Sequence, residues 1–266
     1  MIGIFDSGVG GLSVYREIKK ILPEERYTYF SDNAHCPYGE KSKEYIIDRA
    51  KEITDFLLKQ GADIIVVACN TATAAAIKTL RSEYSTPCSH VLTLTESKRD
   101  SISFIGMEPA IKPAAAVTRS RVIGVLATAG TLKADKYKDI KDRHAEDITV
   151  VEHVGQGFVE LVESGLTTGE KADTIVTESL KPLLDAGADT IVLGCTHYPF
   201  LSETIARTAS KLVPGREITI IDPAPAVARH LYEVMASEHI IKREGFSLSL
   251  HASGDDSILN DLARSL

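Results

Sequence analysis

Gly61-Ala62-Asp63-Ile64-Ile65-Val66-Val67-Ala68-Cys69 decides the reading of this chain, because it recurs as Gly187-Ala188-Asp189-Thr190-Ile191-Val192-Leu193-Gly194-Cys195. Six of the nine positions are identical, at an offset of 126 residues. In each copy a helix-ending Gly-Ala-Asp feeds a short apolar, β-branched run, the pattern of a strand buried on both faces, and a cysteine stands where that strand ends. Ligands of open parallel sheets bind beyond the carboxyl ends of the strands. The repeat therefore predicts two related α/β halves, each offering a thiol, with a small molecule held in the cleft between them.

The surrounding sequence supports this reading. Ile2–Asp6 reads as a strand, Ser7-Gly8-Val9-Gly10-Gly11 as a tight turn, and Leu12–Leu22 as a helix that Pro23 stops. A strand over Tyr27–Ser31, the loop Asp32–Gly39, a helix over Ser42–Gln60, a strand over Ile64–Ala68 and a helix over Thr71–Tyr84 follow. The second half repeats the order, with strands over Arg121–Leu126 and Ile148–Val151, helices over Gly169–Ala186 and Pro199–Leu212, a last strand over Ile218–Ile221, and a helix over Ala226–Ser237. Gly124-Val125-Leu126-Ala127-Thr128 resembles Gly3-Ile4-Phe5-Asp6-Ser7, which extends the repeat to the first strand. Alternation of strand and helix predicts parallel sheets covered on both faces. The expected fold class is α/β, two duplicated parallel-sheet domains, the first 1–104 plus 218–266 and the second 105–217. The polar stretch from Cys88 to about Ser103 fits neither half and reads as a surface loop or linker.

Composition narrows the function. The 266 residues are long enough for two modest domains, and 44% hydrophobic with 25% charged residues is ordinary for a globular protein. A net charge of −7 argues against nonspecific binding to nucleic acid or to anionic membranes. No apolar run approaches the roughly 20 residues that span a bilayer, and the first residues have no signal-peptide pattern, so the expected location is the cytoplasm. The cysteines, Cys36, Cys69, Cys88 and Cys195, show no C-x-x-C spacing and are expected to be free thiols there.

Cys69 and Cys195 each read as opening a helix, whose N-terminus lowers a thiol pKa and offers N–H groups to a carboxylate. Residue types alone leave other readings open. A lone cysteine after a buried strand is commonly a small hydrophobe. Cys69, Cys195, His197 and Cys36 could ligate a metal, and one cysteine with His197 could serve a hydrolase. Asp6-Ser7-Gly8-Val9-Gly10-Gly11 lacks the Gly-Lys-Ser/Thr of a phosphate loop and places a carboxylate and a hydroxyl beside the Cys69 strand instead.

Phe5-Asp6-Ser7-Gly8-Val9-Gly10-Gly11-Leu12, Cys36-Pro37-Tyr38-Gly39, Ala68-Cys69-Asn70-Thr71-Ala72, Glu108-Pro109-Ala110, Leu161-Val162-Glu163-Ser164-Gly165 and Gly194-Cys195-Thr196-His197-Tyr198-Pro199 resemble, in order and spacing, the glutamate racemases of the aspartate/glutamate racemase family. The resemblance covers nearly the whole chain. It implies interconversion of L- and D-glutamate without cofactor or metal, one thiolate removing the α-proton and the other thiol protonating the opposite face, to supply D-glutamate for peptidoglycan. By the same resemblance Cys69 acts on D-glutamate and Cys195 on L-glutamate. Asp6 and Ser7 contact substrate, with Asp6 also near Cys69, and Tyr38 and Gly39 bind it from the second loop. Asn70, Thr71 and Thr196 hold carboxylates, while His197 and Glu163 assist Cys195 and His197 also meets substrate. The implied partner is the amino acid itself, and the resemblance allows a homodimer. The Cys88–Ser103 stretch departs from the family pattern as an insertion and is expected to be dispensable. An aspartate racemase and a hinged binding module are the rival readings; inhibition of DNA gyrase, reported for some members, has no support in these residues.

Overall fold

The computed structural model describes residues 1–96, 98–144 and 147–266 and divides them into two compact units, Met1–Met107 with Ala224–Leu266, and Glu108–Pro223. The first unit runs β1 (Ile2–Asp6), α1 (Leu12–Ile21), β2 (Arg26–Ser31), α2 (Lys43–Lys59), β3 (Ile64–Val67), α3 (Asn70–Tyr84), α4 (Ser89–Leu94) and β4 (Ser103–Gly106). The second runs α5 (Ile111–Val117), β5 (Val122–Ala127), α6 (Ala129–Lys133), α7 (Asp135–His144), β6 (Thr149–Val154), α8 (Phe158–Glu163), α9 (Glu170–Asp185), β7 (Thr190–Gly194), α10 (Ser202–Leu212) and β8 (Thr219–Ile221). The chain then returns to the first unit through α11 (Ala224–Ser237), β9 (Ser247–Ala252) and α12 (Ser257–Arg264). Among the described residues no helix is long and apolar enough to cross a membrane.

Both sheets are parallel. Their strand orders are β4-β3-β1-β2-β9 and β6-β5-β7-β8. With β5 to β8 set against β1 to β4, the second sheet has the order of the first without β9. Register matches as well: Gly3 faces Ile65 across β1 and β3, and Gly124 faces Ile191 across β5 and β7. The two glycines have one cause. A Cβ on Gly3 would stand 3.1 Å from Ala62 and 3.3 Å from Leu57, and one on Gly124 would stand 2.8 Å from Ile191 and 2.9 Å from Leu183. The helix that precedes each cysteine-bearing strand thus packs the first leucine of its terminal Leu-Leu pair directly onto the neighbouring strand's backbone.

The two helix ends are also alike. Gly61 and Gly187 have φ of 91° and 93°, left-handed values that glycine adopts without a Cβ penalty. Past them, Ala62 and Ala188 donate their N–H groups to Leu57 and Leu183 at 3.0 and 3.1 Å, closing both helices in the same way. β1, β3 and β7 are buried along their whole length, which is why, apart from Asp6 and Thr190 at strand ends, they carry continuous apolar runs rather than alternation. Phe5, Ile65 and Val67 pack with Leu57 of α2 and Leu80 of α3 in one core cluster, each such side chain contributing about 1.5–3 kcal/mol by burial. Ile123, Val125 and Val192 pack with Ala114 of α5 and Tyr137 of α7 in the second unit.

Three expectations are corrected. The residue-218 boundary fails, because β8 pairs with β7 (Thr190 with Thr219, Val192 with Ile221) and belongs to the second sheet. The cut at 104 also fails, since β4 is hydrogen-bonded to β3 and the first unit continues to Met107. Third, the Cys88–Ser103 stretch is no bare surface loop. It contains α4, and Val91 and Ile102 are 0% and 2% exposed within the core cluster of the first unit. Cys88 N–H bonds Asp100 carbonyl at 2.8 Å, and Arg99 Nη2 pairs with Asp63 Oδ1 at 2.8 Å. Ser97, part of that stretch, lies outside the described residues.

Candidate active site

The first unit gathers Asp6, Ser7, Tyr38, Gly39, Cys69, Asn70 and Thr71; the second gathers Glu163, Cys195, Thr196 and His197. β1 and β3 are neighbours whose chains leave in different directions, the kind of switch point at which open sheets bind ligands. Asp6 ends β1, and Cys69 follows β3 at the start of α3. Cys69 caps that helix, its Sγ accepting the Ala72 N–H at 3.4 Å. A sulfur held at a helix N-terminus lies where negative charge is favoured, so its thiolate is stabilised.

A short chain of polar atoms leads away from this thiol. Cys69 Sγ donates to Ser7 Oγ at 3.8 Å, and Ser7 Oγ donates to Asp6 Oδ1 at 3.4 Å. Asp6 is fully buried, and its carboxylate is fixed by its own turn: Oδ1 accepts Ser7 N–H at 2.7 Å and Oδ2 accepts Gly11 N–H at 2.6 Å. The turn leaves no room for a larger residue at Gly11, where a Cβ would stand 2.8 Å from both Asp6 Cβ and the Tyr29 hydroxyl oxygen. Asn70 and Thr71 occupy the first turn of α3 and are 5% and 6% exposed. Both polar atoms of the Asn70 side-chain amide are buried without a hydrogen-bond partner among the described residues. A buried amide in that state has a donor and an acceptor still to be met, by water or by a ligand.

Tyr38 packs in the same buried cluster as Cys69, with half-buried Gly39 beside it. Its hydroxyl donates to Asp32 Oδ2 at 2.5 Å. Burial, then the Asp32 charge and hydrogen bond, then Cys69, push the phenol far above its ordinary pKa, so it remains a donor. Asp32 is a site residue that the sequence reading missed. It is an acid directly after β2, and the reasoning that singled out Asp6 at the end of β1 would have found it.

In the second unit the thiol is served by an imidazole. Cys195 Sγ lies 3.7 Å from Nδ1 of His197, and Nε2 of that ring lies 2.5 Å from Glu163 Oε1. A carboxylate can only accept, so Nε2 carries the hydrogen and Nδ1 is the nitrogen with the lone pair, facing the Cys195 sulfur. Cys195 and His197 are 7% and 1% exposed, and Thr196 is 3% exposed between them. Glu163, readable as a solvated acid at a helix end, is instead the imidazole's partner. Tyr198 is fully buried against Phe158 and donates to Gly155 carbonyl at 3.3 Å. Burial first, and then the Cys195 and Glu160 charges, hold its pKa well above the ordinary phenol value.

One expectation about this half is corrected. Cys195 does not cap an α-helix as Cys69 does. A turn and a short 3-10 segment, Tyr198–Leu201, intervene before α10 begins, because Pro199 has no N–H to give to a continuous α-helical ladder. Imidazole and carboxylate thus stand beside the sulfur where the first unit uses a helix N-terminus.

Two parallel α/β units of one strand order, each with a buried thiol after the equivalent strand, place the protein among the amino-acid racemases of the aspartate/glutamate class. The family model described as Asp/Glu/Hydantoin racemase matches residues 2–231. The chain is 46% identical over 240 residues to the glutamate racemase of Pseudomonas aeruginosa (strain UCBPP-PA14), covering 90% of this chain and 83% of that one. It is 46% identical over 242 residues to the glutamate racemase of Methylococcus capsulatus, covering 91% and 82%. Among solved structures, glutamate racemase isoform RacE1 from Bacillus anthracis superposes with a TM-score of 0.82 at 32% identity, over 100% of this chain and 92% of that one. The Escherichia coli glutamate racemase, solved with L-glutamate and an activator, gives 0.72 at 30% identity, over 94% and 97%. The chain belongs to the Asp/Glu/Hydantoin racemase family and, within it, to the glutamate racemases.

Proposed function

We propose that the protein interconverts L- and D-glutamate with Cys69 and Cys195 as the two acid/base groups, each serving one face of the α-carbon. The observation that carries this reading is the placement of two buried thiols at equivalent strand ends of two sheets with the same order and register. The relatives' shared activity supports glutamate as the substrate, as does the glutamate bound in the Escherichia coli and Francisella tularensis racemase structures.

In the L-to-D direction Cys195 reacts as thiolate, its proton having passed to Nδ1 of His197, and takes the α-proton while the C–H electron pair stays on carbon. Cys69 as thiol then gives its proton to the opposite face. The protein ends with the two sulfurs' protonation exchanged and is reset by exchange with solvent. Ser7 and Asp6 orient the Cys69 proton, with Asp6 also close to the substrate amino group. Tyr38 and Gly39 bind the substrate from the second loop, Asn70, Thr71 and Thr196 hold the carboxylates, and His197 helps seat the substrate. Fixed N–H and amide dipoles stabilise the carbanion. By this reading the product feeds peptidoglycan synthesis from the cytoplasm; sedimentation analysis tests whether the protein forms a homodimer.

The experiment is incubation of purified protein with L-glutamate in D2O, following optical rotation and α-deuterium together. Loss of optical signal with deuterium gain is expected from the parent. Cys69→Ala and Cys195→Ala are each expected to abolish racemisation, and full activity in either would refute the two-thiol mechanism.

A further inference from the structure

We propose that Arg49, acting through Asp32, is a positioning residue that sets the place of Tyr38 and hence the affinity for substrate. This rests on the reading that Tyr38 and Gly39 contact glutamate. Arg49 belongs to none of the motifs that mark the site. It projects from α2, a 17-residue helix whose start is capped by Ser42 accepting the Tyr45 N–H.

Its guanidinium grips Asp32 as a fork, Nη2 to Oδ1 at 2.7 Å and Nε to Oδ2 at 3.0 Å. Asp32 is fully buried, and a buried carboxylate persists only when paired. Oδ2, the oxygen that receives Arg49 Nε, also receives the Tyr38 hydroxyl. Burial alone would raise the Asp32 pKa, but the Arg49 and Tyr38 hydrogen bonds outweigh it and keep the carboxyl below its ordinary range. The ionised acceptor that fixes Tyr38 therefore depends on Arg49.

The rest of the loop is anchored so that this bond has something rigid to act on. Asp32 N–H bonds Asp6 carbonyl at 2.9 Å, tying the base of the loop to the Cys69 side of the site. Asn33 Oδ1 accepts Gly254 N–H at 2.8 Å, and Ala34 N–H bonds Ser253 Oγ at 3.0 Å. The start of the loop is thus held from three sides, by β1, by the segment after β9 and, through Arg49, by α2. Without Arg49, Asp32 takes up a proton or shifts toward solvent. Either change removes the charge-assisted bond to Tyr38, a ring that shares its packing with Cys69.

The test is a double-variant cycle on full-length protein, with glutamate racemisation in both directions as the assay. Arg49→Gln and Tyr38→Phe are each expected to raise KM about tenfold with kcat within about twofold. The double variant should be no worse than either single, because both remove the same constraint. Arg49→Lys keeps the charge but not the fork, and should recover part of the loss. If Arg49→Gln does not fold, the cycle of Arg49→Lys with Tyr38→Phe decides. An unchanged KM in folded Arg49 variants, or a double-variant effect equal to the product of the singles, overturns the proposal. A parent protein that leaves glutamate unchanged would overturn the functional reading instead, so the two failures are told apart.

Discussion

Glu163 Oε1 and Cys195 Sγ sit on opposite edges of one imidazole, 2.5 Å from Nε2 and 3.7 Å from Nδ1 of His197. The carboxylate sets the tautomer, and the tautomer gives Nδ1 its basic lone pair. Cys69 has its counterpart in Ser7 and Asp6, a hydroxyl where the other thiol has a ring. The two sulfurs carry equivalent places in the repeat but different proton relays.

His197→Asn removes the base beside Cys195 and should lower kcat about 10²-fold, within the range for a lost general base. Glu163→Gln keeps the ring but frees its tautomer and should cost less, about tenfold. Both variants should melt like the parent, as followed by circular dichroism; a normal kcat in His197→Asn would remove the relay from the mechanism.

Asn70→Ala should separate affinity from stability. The amide has no hydrogen-bond partner among the described residues, so its removal leaves no broken bond behind and places a better helix former in the first turn of α3. The melting temperature should equal or exceed the parent's. KM for glutamate should rise about tenfold, the equivalent of a lost hydrogen bond to a charged ligand.

Asp189 predicts an acid-dependent stability term remote from chemistry. Burial tends to raise its pKa. The Thr118 hydroxyl, the Ser120 and Arg119 N–H groups and the Thr190 hydroxyl outweigh burial and bring it to about 2. A carboxyl held below its unfolded value of ~3.9 stabilises the fold above that pH, and the gain disappears as pH falls through the folded value. Asp189→Asn should therefore cost about 1 kcal/mol in denaturant titrations at pH 7. The difference from the parent should fade between about pH 4 and pH 2.

The Cys88–Ser103 segment should not be dispensable. Val91 fills the core cluster completely, and Val91→Ala should cost about 2 kcal/mol from lost burial and the cavity left behind. Deleting Cys88–Ile102 also strips the Arg99 contact from Asp63 and should lower the melting temperature markedly. An unchanged melting curve would return the segment to the status of a surface loop.

Much of this was legible because the informative features are local. A central parallel strand is apolar from end to end, a helix end is marked by Gly61 or Gly187, and the repeat of these two signals supplies both thiols. The Glu163–His197 contact was readable only by resemblance, since the residues are 34 apart and no local pattern brings them together. β9 carries no such signal, and the sequence predicts no strand beyond Ser237, because Ser247-Leu248-Ser249-Leu250 is short, alternating and partnered by β2 far back in the chain. The start of α10 was misplaced for a different reason. Local helical spacing is the same on both sides of Pro199, and the 3-10 turn Tyr198–Leu201 ahead of α10 leaves no mark in it. Arg49 was invisible in principle, because a surface-like arginine in a charged helix declares its target only when the fold sets it against Asp32.

The first unit is interrupted, and its last strand comes from the end of the chain. On the ribosome, β2 therefore emerges as an exposed edge and stays one until Ser247–Ala252 appears, which at ~5–20 residues per second is roughly ten seconds or more later. The continuous second unit can close meanwhile. A nascent chain of this protein spends that interval with an unpaired edge along β2, so the order of synthesis leaves the Cys69 half, rather than the one carrying Cys195, with the longer-lived open sheet edge.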